Sequence, residues 1–255
     1  MENFGESALW GIVVGASLLA GAVAAALLEL PERLAAVLTA FGGGVLLAAV
    51  ALELVPEADA GAGPALTAAG LMTGTLVYAG ADAWLTRDEG MREMRRSGHA
   101  MAAGRGMQMR TGHAEAARGE AIAAGIFIDG VPESIALGLT IAEGEVGVAL
   151  LAGILIGNLV ESYGAAQPIL AGGHTRSFAI RLLGGIGLAL AAATLVGGTV
   201  LADASPELIG TAQSVAAGAV LAVVTIAIVP HAFEEVSRLV AAATVAGFIV
   251  GYLLV

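Results

Sequence analysis

The sequence contains no cysteine, and all eleven of its basic side chains are arginine, so lysine is absent too. Without thiols, neither a disulfide nor a thiolate metal site can be built, whatever the compartment. Charge of either sign is scarce. Asp, Glu, Lys and Arg make up 13% of the 255 residues, against about 25% in an average soluble domain. With 58% hydrophobic residues and a mean hydropathy of +0.88, this is the composition of a multi-span membrane protein. A basic leader is lacking as well: Met1 to Ser7 carries Glu2 and Glu6 and no cation. The apolar run from Leu9 therefore reads as a retained span and not as a cleaved signal peptide.

What is present is a series of long apolar runs. A membrane-crossing helix needs about 20 mostly apolar residues, and eight segments qualify: 8–29, 34–56, 64–85, 119–141, 146–169, 179–202, 208–230 and 236–255. The expected fold is all-α, a single polytopic domain over 1–255. The connections are short except for 86–118, whose composition predicts a mobile segment. That loop holds seven of the arginines (87, 92, 95, 96, 105, 110 and 118), five methionines, His99 and His113. With eight spans and this loop in the cytoplasm, Arg33, Arg176, Arg181 and Arg238 also fall inside. The opposite connections carry only acids: Glu57, Asp59, Glu143, Glu145, Asp203 and Glu207. The positive-inside rule then places both termini outside a cell membrane.

Within this apolar frame, oxygen-bearing side chains cluster in two neighbouring spans. The stretch Gly125–Gly138 carries Asp129 and Glu133 four residues apart, on one helical face, with Pro132 between them. The stretch Gly153–Ser162 carries Asn158 and Glu161, three apart. A proline inside a helix removes a hydrogen bond and frees a carbonyl, which a membrane tolerates where that carbonyl lines a cavity. A carboxylate at the bilayer centre costs about 2.5–3.5 kcal/mol even on the lenient insertion scale. Asp129, Glu133, Asn158 and Glu161 therefore make an oxygen-rich site for a divalent cation. The plainer alternative is a set of protonated acids hydrogen-bonded between helices.

In these motifs the chain resembles the ZIP (Zrt-, Irt-like) family of metal-ion transporters. That family has eight spans in a 3+2+3 arrangement, outward termini and a long cytoplasmic loop between spans 3 and 4. Its fourth span carries His-Asn-x-Pro-Glu-Gly, where this chain reads Asp129-Gly-Val-Pro-Glu-Ser134. Its fifth carries a polar pair followed three residues later by glutamate, matched by Gly157-Asn-Leu-Val-Glu161. Many members end span 2 with His-x-x-Pro-Glu, matched by Glu53-Leu-Val-Pro-Glu57. The resemblance implies a transporter, not an enzyme. Asp129 would stand for a ligating histidine, Glu133 and Glu161 for the carboxylates that grip the ion, and Asn158 for an amide or carboxylate ligand. Gly130 and Gly157 depart from the pattern, each losing a ligand side chain. Span 6 has no acid for a second site, so one metal is expected. The resemblance ranks zinc first. The oxygen-only donors bring manganese and iron(II) close behind, with cadmium a further candidate cargo. No resident cofactor is implied.

Other residues lie along a path for the ion. Glu53 and Glu57 near one end of span 2 could guide an entering cation, or Glu53 could simply snorkel to the interface. His231, Glu234 and Glu235 near the end of span 7 read as an exit station or as an ordinary polar helix end. Tyr78 and Asp82 read as interfacial. Ala51–Glu57 and Ile226–His231 share a Val-Pro step, a faint echo of an inverted repeat relating spans 1–3 to 6–8. The small-xxx-small pairs Gly11/Gly15, Gly70/Gly74, Gly153/Gly157 and Gly247/Gly251 predict close helix contact and leave room for a homodimer. The expected partners are the bilayer and divalent metal ions, with no nucleic acid. Two further functions compete: a non-transporting metal sensor or structural protein of the same fold, and an intramembrane aspartyl hydrolase built on Asp129. The hydrolase lacks a second aspartate at matching depth.

Overall fold

The computed structural model describes residues 2–28, 31–85, 112–144, 146–200 and 204–255, and the regular structure among them is entirely helical. In chain order the elements are α1 (Glu2–Leu27), α2 (Glu32–Ala49), α3 (Val55–Ala62), α4 (Pro64–Leu85) and α5 (Gly112–Ala142). They are followed by α6 (Val148–Ala171), α7 (Arg176–Val200), α8 (Pro206–Val223), α9 (Val229–Val236) and α10 (Leu239–Leu254). A π-helical turn, Val50–Leu54, joins α2 to α3, and another, Val224–Ile228, joins α8 to α9. The segment 86–111, with His99 and most of the loop arginines, lies outside the described residues, as do Glu145 and Asp203.

Six helical stretches among the described residues are long and apolar enough to cross a membrane, as expected of a multi-pass membrane protein. They are Asn3–Leu27, Arg33–Ala62, Ala123–Ala142, Val148–Ala171, Arg176–Val200 and Pro206–Ile228. Of the two other expected spans, α4 has the length but is diluted by Gly, Ala and Thr, and α10 is a shorter apolar helix of 16 residues. Two boundaries differ informatively from expectation. The second and seventh rods run on past Pro56 and Pro230 to residues 62 and 236. Each proline follows a π turn, whose extra residue relieves the clash between the ring and the preceding turn. The fourth rod also starts early, so that residues 112–118, expected in the loop, are helical.

The rods form two bundles. In one, α1, α5, α6 and α7 pack together; in the other, α2–α3, α4, α8–α9 and α10. Small residues set the contacts. Gly11 and Gly15 on α1 lie against the backbones of Ala191 and Gly187, where an added Cβ would stand 2.8 and 2.7 Å from a carbonyl oxygen. Likewise α4 meets α8 at Gly74 and Gly218, α2 meets α10 at Gly44 and Gly247, and α5 meets α7 at Gly138. The predicted glycine pairs are thus used inside the chain, except Gly157. The bundles meet along a seam where α2 packs on α6 and α5 on α8. Exposed apolar side chains such as Ile12, Leu76, Leu188 and Leu253 coat the outside, a surface suited to lipid.

Local chemistry closes the turns at one end of the molecule. Gly63, at φ +78°, lets α3 reverse into α4 through a single residue. Thr140 donates to the Leu137 carbonyl and accepts from the Gly147 N–H, pinning the turn between α5 and α6. Ser205 caps α8 by accepting from Leu208 N–H, with Pro206 at the first helical position.

Candidate functional site

The central site sits on the seam face of α5 and α6. Asp129, Glu133 and Asn158 are 5%, 6% and 3% exposed, and Glu161 is half-buried. Helical spacing aligns Asp129 with Glu133, and the charged groups felt by Glu133 are Glu161 first and Asp129 second. The fold therefore brings the three sequence-predicted carboxylates into mutual electrostatic reach. No lysine or arginine occurs between Arg118 and Arg176 to neutralise them from within these helices. The Asn158 amide nitrogen is buried with no hydrogen-bond partner. Among the described residues, no three His, Asp or Glu side chains converge closely enough to hold a metal as they stand.

Tyr78, expected at the interface, is instead 2% exposed and reaches across the seam from α4. Its hydroxyl donates to Asp129 Oδ1 at 2.5 Å. It is the site residue that sequence reasoning missed. A tyrosine buried inside an apolar helix needs a partner for its hydroxyl, but which acceptor lies across the seam depends on the fold.

The two glycines that replace expected ligands differ. A Cβ on Gly130 would lie 2.6 Å from Leu190 Cδ1, so this position faces α7 and not the seam. A Cβ on Gly157 would meet nothing within 4 Å. There is room beside Asn158 for a side chain the sequence does not supply. The opposite face of α6 is occupied by structural bonds: Ser162 donates to the Leu18 carbonyl at 2.8 Å and Tyr163 to that of Leu28 at 3.2 Å.

A second polar group lies at the acidic end of the seam, where Glu57 and Glu143 both accept from the amide of Gln213. Glu53, in the first π turn, stands beside Gly147, with Oε1 2.4 Å from where a Cβ would be. Glu53 and Glu57, predicted on the path of the ion, thus occupy this end. His231, Glu234 and Glu235 fall on α9, but their side chains lie outside the described residues.

No protein-family model matches the sequence, and no curated protein matches it significantly. The site must be read from its own chemistry.

Proposed function

We propose that the protein carries divalent metal cations across a membrane in the manner of the ZIP transporters it resembles, using Asp129, Glu133, Asn158 and Glu161 as the binding site. The observation that carries this reading is that three carboxylates lie within electrostatic reach of one another, beside a buried amide nitrogen without a partner, on one seam within apolar helices. Each carboxylate there is costly without a counter-charge. A cation drawn between them supplies that charge, and turning the Asn158 amide offers it an oxygen. The seam supports alternating access, because sliding or tilting one bundle against the other would open the site to either side. On this reading all eight rods cross the cell membrane, both termini lie outside, and the 86–118 loop is cytoplasmic, where the arginines belong. Zinc ranks first as cargo, with manganese and iron(II) next, since every donor is oxygen.

A second reading has its own support. The Tyr78 bond holds Asp129 in a purely structural role, as in a non-transporting sensor of the same fold. Uptake into proteoliposomes separates the two, comparing zinc, manganese, iron(II), cadmium and magnesium. The transporter reading expects saturable uptake that is lost in both Glu133→Gln and Glu161→Gln while the protein stays monodisperse. Absence of uptake for every ion would hand the case to the sensor.

A further inference from the structure

The acidic end of the seam holds a group that the central site does not use. Gln213 on α8 is fully buried, and its Nε2 donates to Glu57 Oε2 at 3.0 Å and to Glu143 Oε2 at 2.5 Å. Glu57 and Gln213 belong to one bundle. Glu143, just past the end of α5, belongs to the other and is exposed. Two carboxyl groups from opposite sides of the seam therefore converge on one amide and hydrogen-bond to each other, with the Glu53 carboxyl near Glu57. The amide is only half satisfied: Gln213 Oε1 is buried and has no partner. Buried amides normally use both ends. A strong acceptor left idle beside two carboxyl groups that hydrogen-bond to each other gives a cation three oxygens in exchange for the proton they share.

We propose that Glu57, Glu143 and Gln213 form a second divalent-cation site, open to the solution at the acidic end, and that the bound ion ties the two bundles together there. Half a turn of the Gln213 carboxamide about its last bond exchanges nitrogen for oxygen. Three oxygens from α3, α8 and the α5–α6 turn then surround a position now bridged by N–H groups. Carboxylate and carbonyl oxygens completed by water are the donors that calcium, magnesium and manganese take. The ion's class is accordingly a hard divalent cation. This site goes beyond the transport reading and does not depend on it, since none of its residues belongs to the central carboxylates.

The test uses full-length protein in detergent with the central site disabled by Glu133→Gln and Glu161→Gln, and manganese(II) as the probe, its free form counted by electron paramagnetic resonance. One ion per chain should remain bound, and adding Glu57→Gln with Glu143→Gln should abolish it. In the same background Gln213→Met removes the amide oxygen at similar volume and should weaken manganese binding about tenfold. If Gln213 serves only as a hydrogen-bond donor, that substitution leaves the two carboxylates to bind manganese as tightly as before, which overturns the proposal even where the double glutamine variant fails to fold. No bound manganese in the parent overturns it as well. The bridge has its own readout: manganese should slow amide hydrogen exchange at both 55–62 and 140–150, and slowing at one alone refutes the tie between bundles.

Discussion

Gly130 and Gly157 stand on neighbouring helices at the same site and have opposite surroundings. Because Leu190 fills the space beside Gly130, Gly130→Asn should overpack the α5–α7 contact and destabilise the protein by about 1–3 kcal/mol, read as a lower melting temperature in detergent. The space at Gly157 is open, so Gly157→His should fold as the parent does. If the central site binds metal, the added imidazole should shift its preference from manganese toward zinc by about tenfold, measured by competition. Tyr78→Phe removes one hydrogen bond and should cost about 0.6 kcal/mol, the mean for buried bonds within membrane proteins. If the central site binds metal, affinity should also rise, because the phenol no longer competes for Asp129 Oδ1. The carboxylates themselves were legible from the sequence, because charge in an apolar run stands out. Tyr78 and Gln213 were not, because their meaning depends on partners 51 and 70 residues away across the seam.

At the level of the helix, the two π turns repeat one device. Val55 N–H bonds back to Val50 O and Val229 N–H to Val224 O, and the proline comes next in both rods. Each proline, having no N–H, leaves a carbonyl of the π turn unclaimed. The turns face one another's rods: a Cβ on Gly43 of α2 would lie 2.6 Å from Ile228 Cγ2 in the second π turn. Replacing both prolines with alanine should let the turns relax toward regular α-helix. If rod bending accompanies transport, uptake should fall by about tenfold while the melting temperature holds or rises. The Val-Pro echo was visible in the sequence and proved to mark these turns. Their π character was not visible, and a proline read as a helix end was a reasonable error. Only the packing of the following turn, α3 on α8 and α9 on α2, shows that the helix continues.

For the molecule as a whole, the packing is unchanged when rods 1 and 6, 2 and 7, 3 and 8, and 4 and 5 trade places. The contact of α2 with α10 maps onto that of α8 with α4, α1 with α6 onto α7 with α5, and α2 with α6 onto α8 with α5. The sequence suggested that the first and last three rods correspond. It could not show that the central two are exchanged as well, because that relation lies in contacts and not in residue identity. Orientation can be checked directly, since a chain without cysteine permits single-site labelling. Asp59→Cys should react with an impermeant maleimide from outside intact cells and Ser177→Cys only after lysis; both positions are exposed. The phenol of Tyr78 adds a last consequence. It reaches from one bundle to a carboxylate of the other, so any sliding of the bundles must first break that bond, and the phenol is a latch across the seam.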